Sequence, residues 1–137
     1  MDLTWVKSTR RTLCETGDVS DMPFENPGLA KIVSLADETT FATNGIVSRT
    51  LLRTADLKVV LFCMAEGQEM SEHTSTQAGV VHILSGECEF VLAGKTHVAK
   101  PGDLIFMPPN LPHAVRATRQ FSMLLTLSKG ENPGAKP

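Results

Sequence analysis

The sequence predicts an all-β domain, a sandwich or barrel of many short strands. Seven stretches of four to eight residues, rich in apolar and β-branched side chains, lie between residues 46 and 127, and glycine or proline turns separate several of them. No long helical period stands out in this region. Short strands at even spacing are typical of sandwiches and barrels, because both architectures remove or shorten exposed sheet edges.

The first three strands are expected at residues 46–52, 57–64 and 79–84. Valine, isoleucine and leucine predominate in all three, and these side chains favour a pleated, half-buried surface. The Ala-Glu-Gly sequence at residues 65–67 supplies the turn that ends the second strand.

The remaining four strands are expected at residues 88–92, 104–107, 114–117 and 121–127. Turn-forming residues lie at 85–86, 92–95 and 101–103. Gly86 lies between two apolar strands and allows a tight hairpin bend. Pro108, Pro109 and Pro112 cannot donate the hydrogen bonds of a sheet, so the stretch that leads to His113 is expected to be a rim loop.

Length and charge fit one globular domain. The chain has 137 residues, enough to bury a core without disulfide or metal support, and a formal net charge of −2. No window is rich in lysine and arginine, so we expect no nucleic-acid partner. No apolar run approaches the roughly 20 residues of a membrane span, so we expect no membrane partner.

The cysteines favour a reducing compartment. Cys14, Cys63 and Cys88 are widely spaced and odd in number, unlike the disulfide framework of a secreted protein. We therefore expect a cytoplasmic protein. Cys63 and Cys88 lie in apolar runs, where cysteine usually serves as a small buried hydrophobic residue.

The two ends differ in composition from the middle. Residues 1–27 have no sustained apolar period and are expected to form a partly ordered N-terminal arm. Residues 130–137 contain two glycines and are expected to form a flexible tail. The folded domain is expected to span residues 28–129.

The spacing of glycine, proline and histidine defines two motifs. In the first, five residues separate Gly67 from His73, and twelve more precede Gly86. The second begins fifteen residues later and consists of the residues Gly102, Pro108, Asn110 and His113.

With these two motifs the sequence resembles the cupin superfamily. The first cupin motif reads glycine, five residues, His-x-His, three or four residues, glutamate, six residues, glycine. The second reads glycine, five residues, proline, any residue, glycine, two residues, histidine, three residues, asparagine. The resemblance covers residues 29–128 and implies a double-stranded β-helix, the jelly-roll barrel of the cupin type. It also implies a homodimer, because small cupins of this kind generally pair.

Four positions depart from the cupin motifs. Ser75 stands at the second histidine, Gly79 at the glutamate, Asn110 at a glycine and Ala117 at the asparagine. The fold assignment withstands these changes, because Asn110 can replace glycine in a left-handed conformation. Of the four metal ligands that the family uses, two histidines remain.

The resemblance makes His73 and His113 candidate ligands of a divalent metal, namely zinc, iron, nickel or manganese. A metal site normally needs at least three protein ligands. Gln77 is the first candidate for the third, because it shares the strand parity of His73. Further candidates are Glu69, Cys63 and Ser75.

Several other residues allow two interpretations, a role in the pocket or an ordinary structural role. If Val81 and Ile83 face the interior, His82 faces outward and suits a surface or subunit contact better than the pocket. Arg116 could reach an anionic ligand near His113 or lie at the surface. The same choice between pocket wall and ordinary core applies to four methionines, namely Met64, Met70, Met107 and Met123.

Two functions remain open on the sequence. The first is a small-molecule-binding cupin that holds a divalent metal at His73 and His113, with metal-assisted oxidation or isomerisation as the enzymatic version. The second is a metal-free, non-enzymatic sensor or storage module. The histidine pair favours the first function, whereas Ser75 and Gly79 favour the second. Neither function identifies the ligand.

Overall fold

In a computed structural model, which describes residues 22–26 and 28–128, the chain is almost entirely β. One short helix, α1, spans Leu35–Glu38. The strands within the described residues are β1 (Ile46–Arg53), β2 (Leu57–Met64), β3 (Glu69–His73), β4 (Gly79–Ser85), β5 (Cys88–Leu92), β6 (Lys95–Ala99), β7 (Leu104–Met107), β8 (His113–Ala117) and β9 (Phe121–Ser128).

The strands form two antiparallel sheets. The five-stranded sheet has the order β1-β2-β9-β4-β7, and the four-stranded sheet has the order β3-β8-β5-β6. Buried side chains of both sheets pack into one core, in which Phe90 of β5 and Phe121 of β9 are the largest. This arrangement confirms the all-β jelly roll that the sequence predicted.

The five-stranded sheet is covered on its outer face as well. Leu51, Leu61 and Cys63 are buried there, beneath side chains that include Phe24 and Phe41. Strands that are buried on both faces lose the alternation of apolar and polar residues, which explains the continuous apolar run of β2. Residues 22–26, the described part of the expected N-terminal arm, therefore help to cover this face. The rest of that arm and the tail at 130–137 lie outside the described residues.

Two strands, β3 and β6, were absent from the sequence prediction. Glu69–His73 and Lys95–Ala99 are polar segments without a buried stripe, so their own side chains gave no strand signal. Pairing with a neighbouring strand holds each of them in place. For β6 the turn is decisive, because Ala93 (φ 50°) and Gly94 (φ 82°) both have positive φ, as a two-residue hairpin of type I′ requires.

Within the described residues, no helix is long and apolar enough to cross a membrane.

The turn at Gly86 requires glycine for two reasons. Its φ is +77°, and a Cβ atom placed there would lie 1.9 Å from the backbone oxygen of Gln120 and 2.6 Å from Cα of Phe121. Backbone atoms cannot move aside as a flexible side chain can. Gly94 has a similar φ of +82° but no atom within 4 Å of the same position.

We therefore expect Gly86→Ala to be far more destabilising than Gly94→Ala. Gly94→Ala should lower the free energy of unfolding by about 1–2 kcal/mol, the cost of a left-handed alanine. Gly86→Ala adds a backbone clash to the same strain and should prevent folding or cost several times more. Chemical denaturation followed by circular dichroism measures both losses, and equal losses would contradict the steric argument.

Candidate functional site

A cavity of about 220 Å³ is lined by residues of both sheets. Four of its lining residues are polar and four are apolar. The residues are His73, Ser75, Gln77, Met107, Pro108, His113, Leu125 and Leu127. His113 is buried whereas His73 is exposed, so the cavity reaches solvent at His73.

The pairing of β3 with β8 brings the two histidines together. Met70 faces Val115 in this pair, and a continuation of that register would bring Glu72 opposite His113. The register instead shifts by one residue, and His73 faces His113. A β-bulge of this kind re-aims a side chain and is common beside functional sites. The histidines therefore lie on neighbouring strands, with ring centroids 4.3 Å apart and ring planes inclined by 64° in an edge-to-face contact.

Backbone carbonyls fix the orientation of both imidazoles. Nδ1 of His73 is 2.6 Å from the carbonyl oxygen of Ser71, and Nδ1 of His113 is 2.8 Å from that of Leu111. A carbonyl oxygen only accepts hydrogen bonds, so each Nδ1 carries a proton and donates it. In the neutral ring, Nε2 is then left with a free lone pair, the arrangement that metal-ligating histidines commonly have.

The proline-rich loop before β8 is held at several points. Asn110 has a φ of 68°, the left-handed conformation expected of a residue that replaces glycine. Its backbone N–H donates to the carbonyl oxygen of Ser75 at 2.6 Å, which ties the loop to a residue of the cavity. The N–H of Ala93 donates to the carbonyl of Pro112 at 2.8 Å. These bonds position His113 at the start of β8.

Gln77 and Ser75 line the same cavity as the histidine pair. The backbone N–H of Gln77 donates to Oγ of Ser75 at 3.1 Å, which makes a local turn between the two residues. The other two candidates for a third ligand do not line this cavity. Glu69 is exposed at the start of β3, and Cys63 is buried on the outer face of the five-stranded sheet.

Arg116 is also absent from the cavity lining. Its side chain is exposed and its Nη1 lies 3.2 Å from Oε1 of Glu89. Among the four methionines, only Met107 lines the cavity, while Met64 and Met123 fill the core and Met70 packs against it. His82 is exposed between buried Val81 and Ile83, as strand alternation predicted.

The apolar wall of the cavity was anticipated only in part. Sequence reasoning named Met107 as a possible wall residue but missed Leu125 and Leu127, which line the cavity together with Met107 and Pro108. A signal was present in β9, because Leu125 and Leu127 share the parity of buried Phe121.

The cavity offers a divalent metal two strong donors and two weak ones. The strong donors are the Nε2 atoms of His73 and His113, and the weak ones are the amide of Gln77 and the hydroxyl of Ser75. Among the described residues no group of three or more histidine, cysteine, aspartate or glutamate side chains could hold a metal. The described lining therefore falls short of the three protein ligands that a metal site normally needs, and any metal there would have to complete its shell with water or ligand.

The two cysteines of the described part are unsuited to nucleophilic chemistry. Burial raises the pKa of the Cys63 thiol to about 11, although a backbone hydrogen bond from Thr40 acts in the opposite direction. Burial, with the negative charges of Glu87 and Asp103, raises the pKa of Cys88 to about 12. Both side chains therefore remain neutral thiols at physiological pH.

The family model described as "Cupin domain" matches residues 60–127. No curated protein sequence matches the chain.

Three solved structures resemble the chain closely. A conserved protein of unknown function from Streptococcus pyogenes is 36% identical, with 75% of this chain and 90% of that chain covered and a TM-score of 0.68. An RmlC-like cupin from Desulfovibrio desulfuricans is 27% identical, with 74% and 98% covered and a TM-score of 0.67. A Cupin 2 conserved barrel domain protein from Leptotrichia buccalis is 30% identical, with 69% and 46% covered and a TM-score of 0.65.

The thiol environments predict strong protection from alkylation. In the folded protein at pH 8, iodoacetamide should leave Cys63 and Cys88 unmodified, because burial blocks access and keeps both thiols protonated. In guanidinium chloride both should react within minutes. Mass spectrometry of the tryptic peptides assigns each site, and rapid labelling of either peptide from the native protein would contradict this picture.

Proposed function

The chain belongs to the cupin family, and from this premise we propose that it is a small-molecule-binding protein that holds a divalent metal between His73 and His113. The observation that carries the proposal is the pair of oriented imidazoles, 4.3 Å apart, that line one cavity. Their Nδ1 atoms are occupied by backbone carbonyls, so their Nε2 atoms are free for a shared ligand.

The surrounding residues would have distinct roles around such a metal. His73 and His113 would hold it, and Gln77 would turn its amide oxygen toward it as the third ligand. A bound divalent metal supplies Lewis acidity, which polarises a carbonyl oxygen or acidifies a water molecule. Met107, Leu125 and Leu127 would exclude bulk water from the other side of the ligand. Oxidation or isomerisation of a small organic compound is the enzymatic reaction that this arrangement would support.

A second candidate function is metal-free binding by a sensor or storage module. It is favoured by the weak third and fourth donors, since Ser75 and Gln77 carry no charge. The Nε2 lone pairs of the two histidines would also accept hydrogen bonds from a hydroxyl or amino group of an organic ligand. Metal content of freshly purified protein separates the two functions.

We also propose that the protein is a homodimer of the reducing cytoplasm. The compartment is supported by the neutral, unpaired thiols of Cys63 and Cys88. The dimer is supported by the outer face of β4 and β7, where Val80, Leu104 and Phe106 are 40%, 69% and 63% exposed. Strand β7 is also an edge strand of its sheet, which leaves backbone groups open to pairing.

The metal site predicts the effects of three histidine substitutions. His73→Ala and His113→Ala should each abolish binding of zinc, nickel and ferrous iron, because one imidazole cannot hold the metal with neutral oxygen donors alone. His82→Ala should bind as the wild type does, since His82 faces outward. Isothermal titration calorimetry of the three variants provides the measurement. Unchanged binding after either of the first two substitutions would exclude a shared site.

The dimer predicts that a charge on the exposed face of β7 weakens association. Phe106→Asp should raise the dimer dissociation constant about tenfold or more, because a buried phenylalanine contributes about 1.5–3 kcal/mol. Val98→Asp is the matched control, as Val98 is 62% exposed on β6 of the other sheet. Sedimentation velocity over a concentration series measures both. A wild-type protein that is monomeric at every concentration would refute the dimer.

A further inference from the structure

His113 carries a buried hydrogen-bond acceptor that has no partner in the protein. Two polar side chains are buried among the described residues, His113 at 9% exposure and Ser122 at 2%. Oγ of Ser122 is satisfied, because it lies 2.7 Å from Oγ of Ser85. Nδ1 of His113 donates to the carbonyl of Leu111, but no described residue forms a hydrogen bond with Nε2. A buried acceptor without a donor is destabilising, so the donor is expected from the cavity that this ring lines.

The second imidazole has the same polarity but a different exposure. Nδ1 of His73 donates to a backbone carbonyl as Nδ1 of His113 does, so both neutral rings have Nε2 as an acceptor. His73 is exposed, and water can donate to its Nε2. The need for a donor from a ligand is therefore concentrated at His113.

The lining disfavours a charged ligand in the metal-free cavity. Among the eight lining residues there is no aspartate, glutamate, lysine or arginine. An ammonium group would find no carboxylate there, and a carboxylate would find no cation. Either charge would lie beside Met107, Leu125 and Leu127, which offer an ion no solvation. An uncharged donor is the group that satisfies Nε2 without this cost.

The apolar wall and the volume limit the rest of the ligand. A Cβ atom placed on Gly79 would lie 3.2 Å from Cδ2 of Leu127 and 3.4 Å from Cδ1 of Leu125, so the two leucines pack directly onto the backbone of β4. They leave no space there for a polar side chain. The cavity has a volume of about 220 Å³. An engineered apolar cavity of about 150 Å³ binds benzene, so one six-membered ring with a small substituent fits.

We propose that the metal-free cavity binds a small uncharged hydroxy compound whose O–H donates to Nε2 of His113. The hydroxyl oxygen would accept a hydrogen bond from the amide of Gln77 or the hydroxyl of Ser75, because a hydroxyl both donates and accepts. The apolar body of the ligand would lie against Leu125 and Leu127. This inference rests on the metal-free candidate function and does not depend on whether the cavity also takes a metal.

Phenol and anisole test the donated proton directly. The two compounds share the ring and the oxygen atom, but anisole has no proton to donate. Phenol should bind the chelator-treated protein at least tenfold more tightly than anisole, because only phenol satisfies the buried acceptor. Benzoate should bind at least tenfold more weakly than phenol, because its charge would be uncompensated. Isothermal titration calorimetry measures the three affinities. Equal binding of phenol and anisole, tighter binding of benzoate, or no binding of phenol overturns the proposal.

Nitrogen NMR of the histidine side chains identifies the acceptor. The Nε2 resonance of His113 should shift when phenol is added and stay in place when anisole is added. This measurement uses the wild-type protein, so it does not depend on a variant that folds. A phenol-induced shift at His82 in place of His113 would overturn the assignment.

His113→Phe keeps a flat ring and removes the acceptor. It should weaken phenol binding about tenfold or more and leave anisole binding nearly unchanged. His73→Phe is the matched control and should change phenol binding about threefold or less, because water already serves its Nε2. Leu127→Ala should weaken phenol and anisole by the same factor, since both use the apolar wall. Thermal denaturation verifies that each variant is folded, and a greater loss in His73→Phe than in His113→Phe overturns the assignment.

The outcomes separate this inference from the metal proposal. Phenol binding without nickel binding supports the inference and overturns the metal site. Nickel binding that needs both histidines, without phenol binding, overturns the inference and leaves the metal site standing. If both bind, nickel should displace phenol, because the two would use the same Nε2 atom of His113. Simultaneous, independent binding of nickel and phenol would overturn the placement of the hydroxyl at that atom.

Discussion

The register between β3 and β8 is the constraint on which the candidate site depends. Strand β3 is polar and buries no apolar stripe, so backbone hydrogen bonds must hold it. The N–H of Gly67 donates to the carbonyl of Ala117, and the N–H of Ala117 donates to that of Gln68, both at 2.8 Å. These two bonds anchor the start of β3 to the end of β8. The one-residue shift that follows brings His73, rather than Glu72, opposite His113.

That shift also sets the charge of the cavity. A histidine in this position contributes a neutral nitrogen donor, whereas glutamate would contribute a carboxylate. With Gly79 on β4 and Gln77 near β3, no other described residue of the lining restores a negative charge. The same geometry therefore accounts for two properties of the cavity, a pair of oriented imidazoles and a lining without a carboxylate.

The two faces of the five-stranded sheet have different roles in packing. Its inner face supplies the core and, at Leu125 and Leu127, the apolar wall of the cavity. Its outer face is covered over β1, β2 and β9 by side chains from the segment before β1, including Phe24 and Phe41. The cover does not extend to β7, where Phe106 remains exposed. The apolar cavity wall and the exposed apolar residues are thus on opposite faces of the same sheet.

The sequence by itself determined the β architecture and most of its strands. The bounds of β2, β5 and β7 agree with the predicted ones, because apolar runs between turn residues report burial directly. The glycine and proline spacing indicated the cupin fold, because these residues report turns that are fixed in the chain. The same spacing singled out His73 and His113.

Only the tertiary structure decided what surrounds those histidines. Strands β3 and β6 form through pairing and a positive-φ turn, so their polar sequences carry no period to detect. Cys63 and Glu69 were candidate ligands that do not line the cavity, because sheet face and strand register are properties of neighbouring strands. The bulge before His73 and the packing of leucines beside Gly79 likewise depend on residues distant in sequence. A one-dimensional pattern records which residues are buried, but their partners across the barrel are fixed only when the sheets pack.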